Sequence, residues 1–136
     1  MQLLTRLFAG AMTLLILTTP ASALDTPHRE SLRIGNTALC RGVIDRTPVE
    51  PGDIFPADVK ELYCFTQVLG APGETEISHI WFYRDRKVSR IFLPVKSTNW
   101  RTYSKKTIPQ GASGEWKVEI RSQNGDLLKQ IYFAIH

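Results

Sequence analysis

The sequence predicts an all-β fold, a small antiparallel β-sandwich that is immunoglobulin-like in the broad sense. Short stretches of alternating apolar and polar residues indicate half-buried strands. Turn-forming Gly, Pro, Asn and Asp residues separate these stretches at close spacing, which is typical of sandwiches. The sequence shows neither internal repeats nor a long helical pattern. A small β-barrel is the alternative, because periodicity alone does not distinguish the two architectures.

The N-terminal segment has the features of a secretory signal peptide, which we expect to occupy residues 1–23. Arg6 supplies a positive n-region, residues 7–17 form an apolar h-region, and residues 21–23 are small. The apolar run is shorter than the roughly 20 residues that cross a bilayer. We therefore expect cleavage after Ala23, a periplasmic or secreted product, and no stable membrane span after cleavage. An uncleaved anchor is the alternative.

The remaining residues divide into a short leader and one domain. Residues 24–36 are expected to be a flexible leader, because Pro27 and mixed charges interrupt any strand pattern there. Residues 37–136 are expected to form the single β-sandwich domain. A domain of this size can bury a hydrophobic core without needing disulfides or metal ions.

The first half of this domain contains two predicted strands. Residues 37–45 alternate loosely, and residues 60–69 form a longer apolar run. Residues 47–53 are expected to be a loop, because this stretch contains two prolines and a glycine. Residues 55–58 are expected to make a single turn before the second strand.

The second half predicts two hairpins separated by a loop. Residues 76–84 and 88–96 flank a turn at residues 85–87 and form a β-meander. Residues 107–113 contain Pro109 and are expected to be a loop.

The closing hairpin is the clearest element of the sequence. Trp116 stands in phase with the apolar residues of an alternating strand, so we expect it in the core. Asn124 and Gly125 form the strongest short hairpin signal. The return strand, residues 127–135, is a candidate exposed edge with unpaired backbone groups.

Residues 100–106 combine large aromatic rings with cationic side chains. Trp100 and Tyr103 alternate here with Arg101 and two lysines. Such a mixture is typical of a binding surface, because flat rings offer apolar area at low entropic cost. The alternative is a structural clasp, in which Arg101 pairs with an acid across the sandwich and Trp100 plugs its end.

The charges of the chain are distributed in blocks. Residues 45–76 hold seven acids and two bases, whereas residues 84–106 hold eight bases and one acid. The basic block can attract an anionic partner. The alternative is that the two blocks face each other or form solvated strand faces. Without Arg6, sixteen basic and thirteen acidic residues give a net charge of +3, so we expect no nucleic-acid partner.

Cys40 and Cys64 are the only cysteines and form a candidate disulfide. An even count in an exported protein favours a bridge. The alternative is a pair of buried free thiols, because both residues lie in apolar, strand-like runs.

The sequence offers few residues for catalysis, and we expect no enzymatic activity, metal site or cofactor. The three histidines are scattered, and metal-ligand spacings, phosphate loops and nucleophile elbows are missing from the sequence. His79 is expected to be a structural residue at the edge of the core, with its ring nitrogens hydrogen-bonded. A hydrolase centred on His79, or a nucleophile pair of Cys64 and His79, remains an alternative.

Several motifs together resemble a bacterial family of exported proteins known as domain of unknown function 2914. The resemblance covers most of the chain from Thr37 onward and implies a cell-envelope location, without implying any activity, cofactor or catalytic residue. The most specific motif is the Trp-Arg-Thr-x-Ser-Lys sequence. The matching motifs are Phe65-Thr66-Gln67-Val68, His79-Ile80-Trp81-Phe82-Tyr83, Trp100-Arg101-Thr102-Tyr103-Ser104-Lys105, Gly114-Glu115-Trp116-Lys117-Val118, Asn124-Gly125-Asp126-Leu127-Leu128 and Phe133.

The sequence therefore favours a non-enzymatic binding or interaction domain of the bacterial cell envelope. Its expected partner is an anionic glycan, a peptidoglycan fragment or another envelope protein. A purely structural assembly module without a ligand pocket is the alternative. The candidate binding residues lie in or near the basic block and are Trp81, Tyr83, Trp100, Arg101, Tyr103, Lys105 and Lys106.

Overall fold

The computed structural model describes Gly10 and residues 31–136. Residues 31–136 contain nine β-strands. The predicted signal peptide, apart from Gly10, and most of the predicted leader lie outside the described residues. Within the described part, no helix has the length and apolar content needed to cross a bilayer. The strands are β1 (Arg33–Ile44), β2 (Thr47–Pro51), β3 (Ile54–Phe55), β4 (Glu61–Leu69), β5 (Thr75–Tyr83), β6 (Arg86–Val95), β7 (Asn99–Thr107), β8 (Gly114–Ser122) and β9 (Leu127–Ile135).

The strands form two sheets that pack face to face. The four-stranded sheet has the order β2-β1-β4-β7, and the five-stranded sheet has the order β3-β9-β8-β5-β6. All pairs are antiparallel except the short parallel pair of β3 and β9. The predicted all-β sandwich is therefore confirmed, and the sheets are not closed into the alternative barrel.

The core lies between the sheets and follows the predicted alternation. Trp81 of β5, Trp116 of β8 and Phe133 of β9 are 4 % exposed or less. Phe133 meets Trp81 edge-on at 6.0 Å and stacks on Trp116 at 5.8 Å between ring centroids. Aromatic pairs at such distances add to the stabilisation from burial alone. The predicted core position of Trp116 is thus confirmed.

Three segments differ from the sequence expectations. β2 occupies most of the predicted loop at residues 47–53, because an edge strand tolerates prolines that a central strand would not. β3 lies at the start of the predicted turn. β1 begins at Arg33, inside the predicted leader, and its first residues pair with the end of β4.

The hairpin of β1 and β2 bends over the outer face of the four-stranded sheet. Its turn consists of Asp45 and Arg46, both with positive φ, as in a two-residue hairpin turn. Beneath it, Phe65 points outward from β4 and is nevertheless only 5 % exposed. Arg46 and Pro48 from the hairpin line the same depression as Phe65. The hairpin therefore covers part of the outer face of the four-stranded sheet, including Phe65.

The predicted disulfide between Cys40 and Cys64 is not present, and both residues are buried free thiols. In the register of β1 and β4, Cys64 lies opposite Leu39, whereas Cys40 lies opposite Tyr63. Neighbouring positions along a strand face opposite sides of the sheet, so the two thiols point away from each other. A bridge requires Cβ atoms that approach each other, which this register does not allow.

Candidate functional site

Side chains of β7 point alternately to the two faces of its sheet, so the aromatic and basic residues 100–106 are divided between these faces. All of β7 pairs with β4, from Asn99 opposite Leu69 to Thr107 opposite Glu61. The inward side chains are half-buried or buried, and the outward ones are exposed. Facing inward are Trp100, Thr102, Ser104 and Lys106; facing outward are Arg101, Tyr103 and Lys105.

The inward side of β7 meets a buried histidine. His79 of β5 is 0 % exposed, with Nε2 at 2.9 Å from Oγ1 of Thr66 and Nδ1 at 2.7 Å from Oγ of Ser104. The indole N–H of Trp81 donates to the same Ser104 oxygen at 3.1 Å. Both ring nitrogens therefore have hydroxyl partners from the opposite sheet. This geometry supports the predicted structural role of His79, although it places the residue inside the core and not at its edge.

The chemistry of this cluster differs from that of an activated nucleophile. Desolvation by burial lowers the pKa of His79 to about 3, so its imidazole stays neutral. Burial also raises the pKa of the Cys64 thiol to about 12, so the thiol stays protonated. A catalytic pair of cysteine and histidine needs the opposite shifts and access to substrate. The cluster is therefore suited to joining the two sheets.

Four predicted site residues lie away from the outward side of β7, and one of them is the inward-facing Trp100. Trp81 is 0 % exposed and belongs to the core. The hydroxyl of Tyr83 donates to the carbonyl of Ser113 at 2.7 Å. Tyr83 and Lys106 together line a small cavity of about 260 Å³ at one end of the sandwich. The structure thus divides the seven predicted binding residues among the core, the sandwich end and the outer sheet face.

The outer face of the four-stranded sheet contains a depression of about 250 Å³ between the hairpin and β7. Arg46 and Arg101 both line it, one from the hairpin turn and one from the sheet. Its remaining lining residues include no acid and are Asn36, Thr37, Ala38, Thr47, Pro48, Phe65 and Gln67. We call this the hairpin depression.

Aromatic rings flank the two arginines. The guanidinium of Arg46 lies 5.7 Å from the ring centroid of Trp100, within the range of a cation–π contact. Tyr103 is 47 % exposed, and its ring lies 5.7 Å from that of Tyr63 on β4. Trp100 also packs against the cluster around Val68, so it is a structural residue that touches the site.

An ion pair between the acidic and basic blocks is present, but it involves Lys105 and not Arg101, the residue predicted for the clasp. Lys105 pairs with Glu61 of β4 at 3.4 Å, and both side chains are about half exposed. Such a surface pair contributes little stability. Arg101 makes no ion pair with any residue in the described part of the chain. It therefore remains available to an anion, as the interpretation of residues 100–106 as a binding surface requires.

Sequence reasoning missed Arg46, which supplies half of the cationic pair. Its position depends on a hairpin turn made of Asp and Arg, without the Asn-Gly or Gly signals that mark such turns. The two prolines that follow also favoured a loop. The one available signal was that Arg46 is one of only two bases inside the acidic block.

The fold and these contacts define a small, mainly antiparallel β-sandwich with a buried histidine between its sheets and a cationic surface depression. The sequence model of a family described as "Protein of unknown function (DUF2914)" matches residues 74–135. The match assigns this stretch, β5 to β9, to the family and confirms the resemblance predicted from its motifs. The motif at residues 65–68 lies outside the match. The comparison with curated proteins found no match.

Proposed function

We propose that this protein is a non-enzymatic binding domain of the bacterial cell envelope that captures a carboxylate-bearing peptidoglycan fragment in the hairpin depression. The observation that carries the proposal is the pair of arginines, Arg46 and Arg101, lining one depression without an acid among its lining residues. Two guanidinium groups near one concavity suit a carboxylate, which arginine binds in bidentate fashion.

The size and composition of the depression suit the anionic end of a ligand whose remaining parts lie outside it. A volume of about 250 Å³ lies just below the usual range for ligand pockets. Gln67 and Asn36 offer amide groups at the same surface, and Phe65 offers an apolar floor. Tyr103 extends the surface beside Arg101 with an exposed ring. A peptide stem with a terminal carboxylate, attached to sugars, uses each of these features.

The envelope location in this proposal rests on the sequence. The features of residues 1–23 favour export, and the family resemblance favours the same compartment. The absence of catalysis in the proposal rests on His79, because a fully buried, doubly hydrogen-bonded imidazole is not accessible from solvent.

An NMR titration with a muropeptide tests the proposal. Addition of a disaccharide tetrapeptide to the mature chain is expected to shift the Nε–H resonances of Arg46 and Arg101. The double variant Arg46→Gln and Arg101→Gln is expected to weaken binding about tenfold or more, because each charge-assisted hydrogen bond contributes about 1.5–3 kcal/mol. Amidating the carboxylates of the ligand should have a similar effect.

A matched pair of arginines provides the control. Arg33→Gln with Arg86→Gln removes the same charge from exposed residues outside the depression. Unchanged affinity in this control, with the loss confined to the first pair, supports the proposal. Equal losses in both pairs, or shifts produced only by an acidic glycan or an envelope protein, would contradict it.

An assembly module is the second candidate function, and the observation that favours it is the partly open edge of β9. The short strand β3 pairs only with Ala134 and Ile135, so the preceding part of β9 has no strand partner on that side in the described part of the chain. Open strand edges can pair with another chain. Light scattering over a concentration series tests this function, and a monomer at the highest concentration would argue against it.

A further inference from the structure

The outer face of the five-stranded sheet presents aromatic rings that no other part of the described chain covers. Tyr132 of β9 is 64 % exposed and Phe92 of β6 is 56 % exposed. Phe82 of β5 lies half-buried between them on the same face. Such rings, with cations beside them, offer a ligand both flat apolar area and positive charge.

The strand register arranges these rings along a diagonal. Tyr132, Lys117 and Phe82 lie in one row across β9, β8 and β5. Phe92 lies one strand further and four residues along, opposite Ser78. With strands about 4.8 Å apart and a rise of about 3.3 Å per residue, Tyr132 and Phe92 are separated by about 20 Å. The rings therefore mark an extended track, not a pocket.

Cations are held beside the rings along this track. The Nζ of Lys117 lies 4.4 Å from the ring centroid of Phe82, and the guanidinium of Arg90 lies 4.8 Å from that of Phe92. Both distances lie within the range of cation–π contacts. Each contact fixes a positive charge next to an aromatic surface.

The acid in the middle of this face is already neutralised. Glu119 is only 6 % exposed, and its carboxylate accepts hydrogen bonds from Arg121 at 2.8 and 3.0 Å. Lys117 lies 3.5 Å from its second oxygen. The other acids of the face, Glu76 and Glu115, lie near the starts of their strands, beyond the two ends of the track. A ligand on the track therefore meets mainly positive charge.

A buried hydroxyl lies beneath the track. Ser78 is 2 % exposed, and its Oγ has no hydrogen-bond partner in the described part of the chain. In the register it lies between Phe92 of β6 and Arg121 of β8. Because buried hydroxyls are normally hydrogen-bonded, this group favours a hydroxyl-rich ligand that shifts the Phe92 ring aside.

We propose that Tyr132, Lys117, Phe82, Arg90 and Phe92 form a second binding surface, for a linear acidic polysaccharide. Flat rings stack on sugar rings, and the cations between them pair with uronic carboxylates. The flat, elongated track fits a polymer better than a compact ligand. Its rings are separated by charges, so they do not form the contiguous apolar patch that inserts into a lipid surface. This surface lies on the opposite side of the sandwich from the hairpin depression and is independent of it.

Titration with oligogalacturonate, followed by NMR, tests this surface directly. The backbone amide resonances of outward-facing residues in β6, β8 and β9 are expected to shift. The affinity for the oligomer should decrease at higher salt. The fully methyl-esterified oligomer has the same backbone without charge and should bind about tenfold more weakly. Vesicles of phosphatidylcholine and phosphatidylglycerol should produce no such shifts.

Exposed substitutions separate the surface from the rest of the domain. Tyr132→Ala with Arg90→Gln should weaken oligogalacturonate binding about tenfold and leave the melting temperature nearly unchanged. The matched control, Ile54→Ala with Arg33→Gln, removes an exposed apolar side chain and an arginine elsewhere. Equal losses in both variants, binding of vesicles without binding of the oligomer, or shifts confined to Arg46 and Arg101 would overturn the proposal.

Discussion

Ser104 and His79 join the two sheets through a hydrogen bond of 2.7 Å between Oγ and Nδ1. Ser104 belongs to the edge strand of the four-stranded sheet, whereas His79 belongs to an inner strand of the other sheet. The Ser104 oxygen also accepts the indole N–H of Trp81. One hydroxyl thus satisfies two buried polar groups.

Substituting Ser104→Ala is expected to destabilise the fold by about 2–4 kcal/mol. The change leaves the Trp81 N–H and one His79 nitrogen buried without partners, and each such group costs about 1–3 kcal/mol. Urea denaturation followed by tryptophan fluorescence measures the loss. Ser97→Ala removes an exposed hydroxyl and should change stability by less than about 0.5 kcal/mol. Similar effects of the two variants would contradict the bridging role.

His79 is expected to make stability depend on pH below about 6.5. Burial lowers the pKa of His79 from 6.5 to about 3, so between these values the unfolded chain binds a proton that the folded chain does not. Stability is therefore complete above pH 6.5 and falls by about 1.4 kcal/mol per pH unit as the pH decreases. Urea denaturation between pH 7.5 and 4.5, above the main titration of the carboxylates, measures this slope.

Two comparisons assign the slope to this histidine. The His79→Gln variant, which keeps a hydrogen-bonding side chain, should lose most of the slope, whereas His136→Gln should keep it. In the wild type, NMR resonances of the His79 ring should stay constant over the same range. A ring that titrates near pH 6.5 would show that the imidazole is not buried as the structure places it.

Both cysteines are expected to be free and protected. Because Cys40 and Cys64 are buried, an alkylating reagent should label neither in the native protein within minutes. After denaturation without reductant, mass spectrometry should detect two adducts per chain. A denatured chain that accepts no label would instead show a disulfide and would contradict the register of β1 and β4.

Trp100 and Tyr103 are expected to respond differently to truncation. Trp100 packs against the interior cluster around Val68, so Trp100→Ala should cost about 2–3 kcal/mol, less than for a fully buried tryptophan. Tyr103 is 47 % exposed on the outer face, so Tyr103→Ala should cost less than about 1 kcal/mol. Thermal unfolding of the two variants measures the difference. Equal costs would show that β7 does not alternate as described.

The sequence predicted those parts of the fold that depend on local patterns. The strand of Trp116, the turn at Asn124 and Gly125 and the shared face of His79 with Trp81 all follow from period-two alternation and turn chemistry. The pairing of β7 with β4 joins segments distant in sequence, and β2 forms at the edge of the same sheet. No local pattern indicates which strand will lie at an edge, where prolines are tolerated.

The candidate site was predicted in part for the same reason. Arg101, Tyr103 and Lys105 share the outward side of one strand, and the sequence placed them in one segment. It also included Trp100 and Lys106, because a strand was not assigned there and the alternation was not applied. Arg46 comes from a hairpin that bends back over the sheet, and such a bend depends on tertiary packing.

The hairpin turn that holds Arg46 makes the depression a composite of two separate parts of the chain. Arg101 belongs to the sheet, but Arg46 joins it only while the hairpin lies against Phe65. The measured affinity for a ligand in the depression is therefore its intrinsic affinity multiplied by the fraction of molecules with the hairpin docked. By linkage, a bound anion must slow hydrogen exchange in β2 as well as in its own contacts.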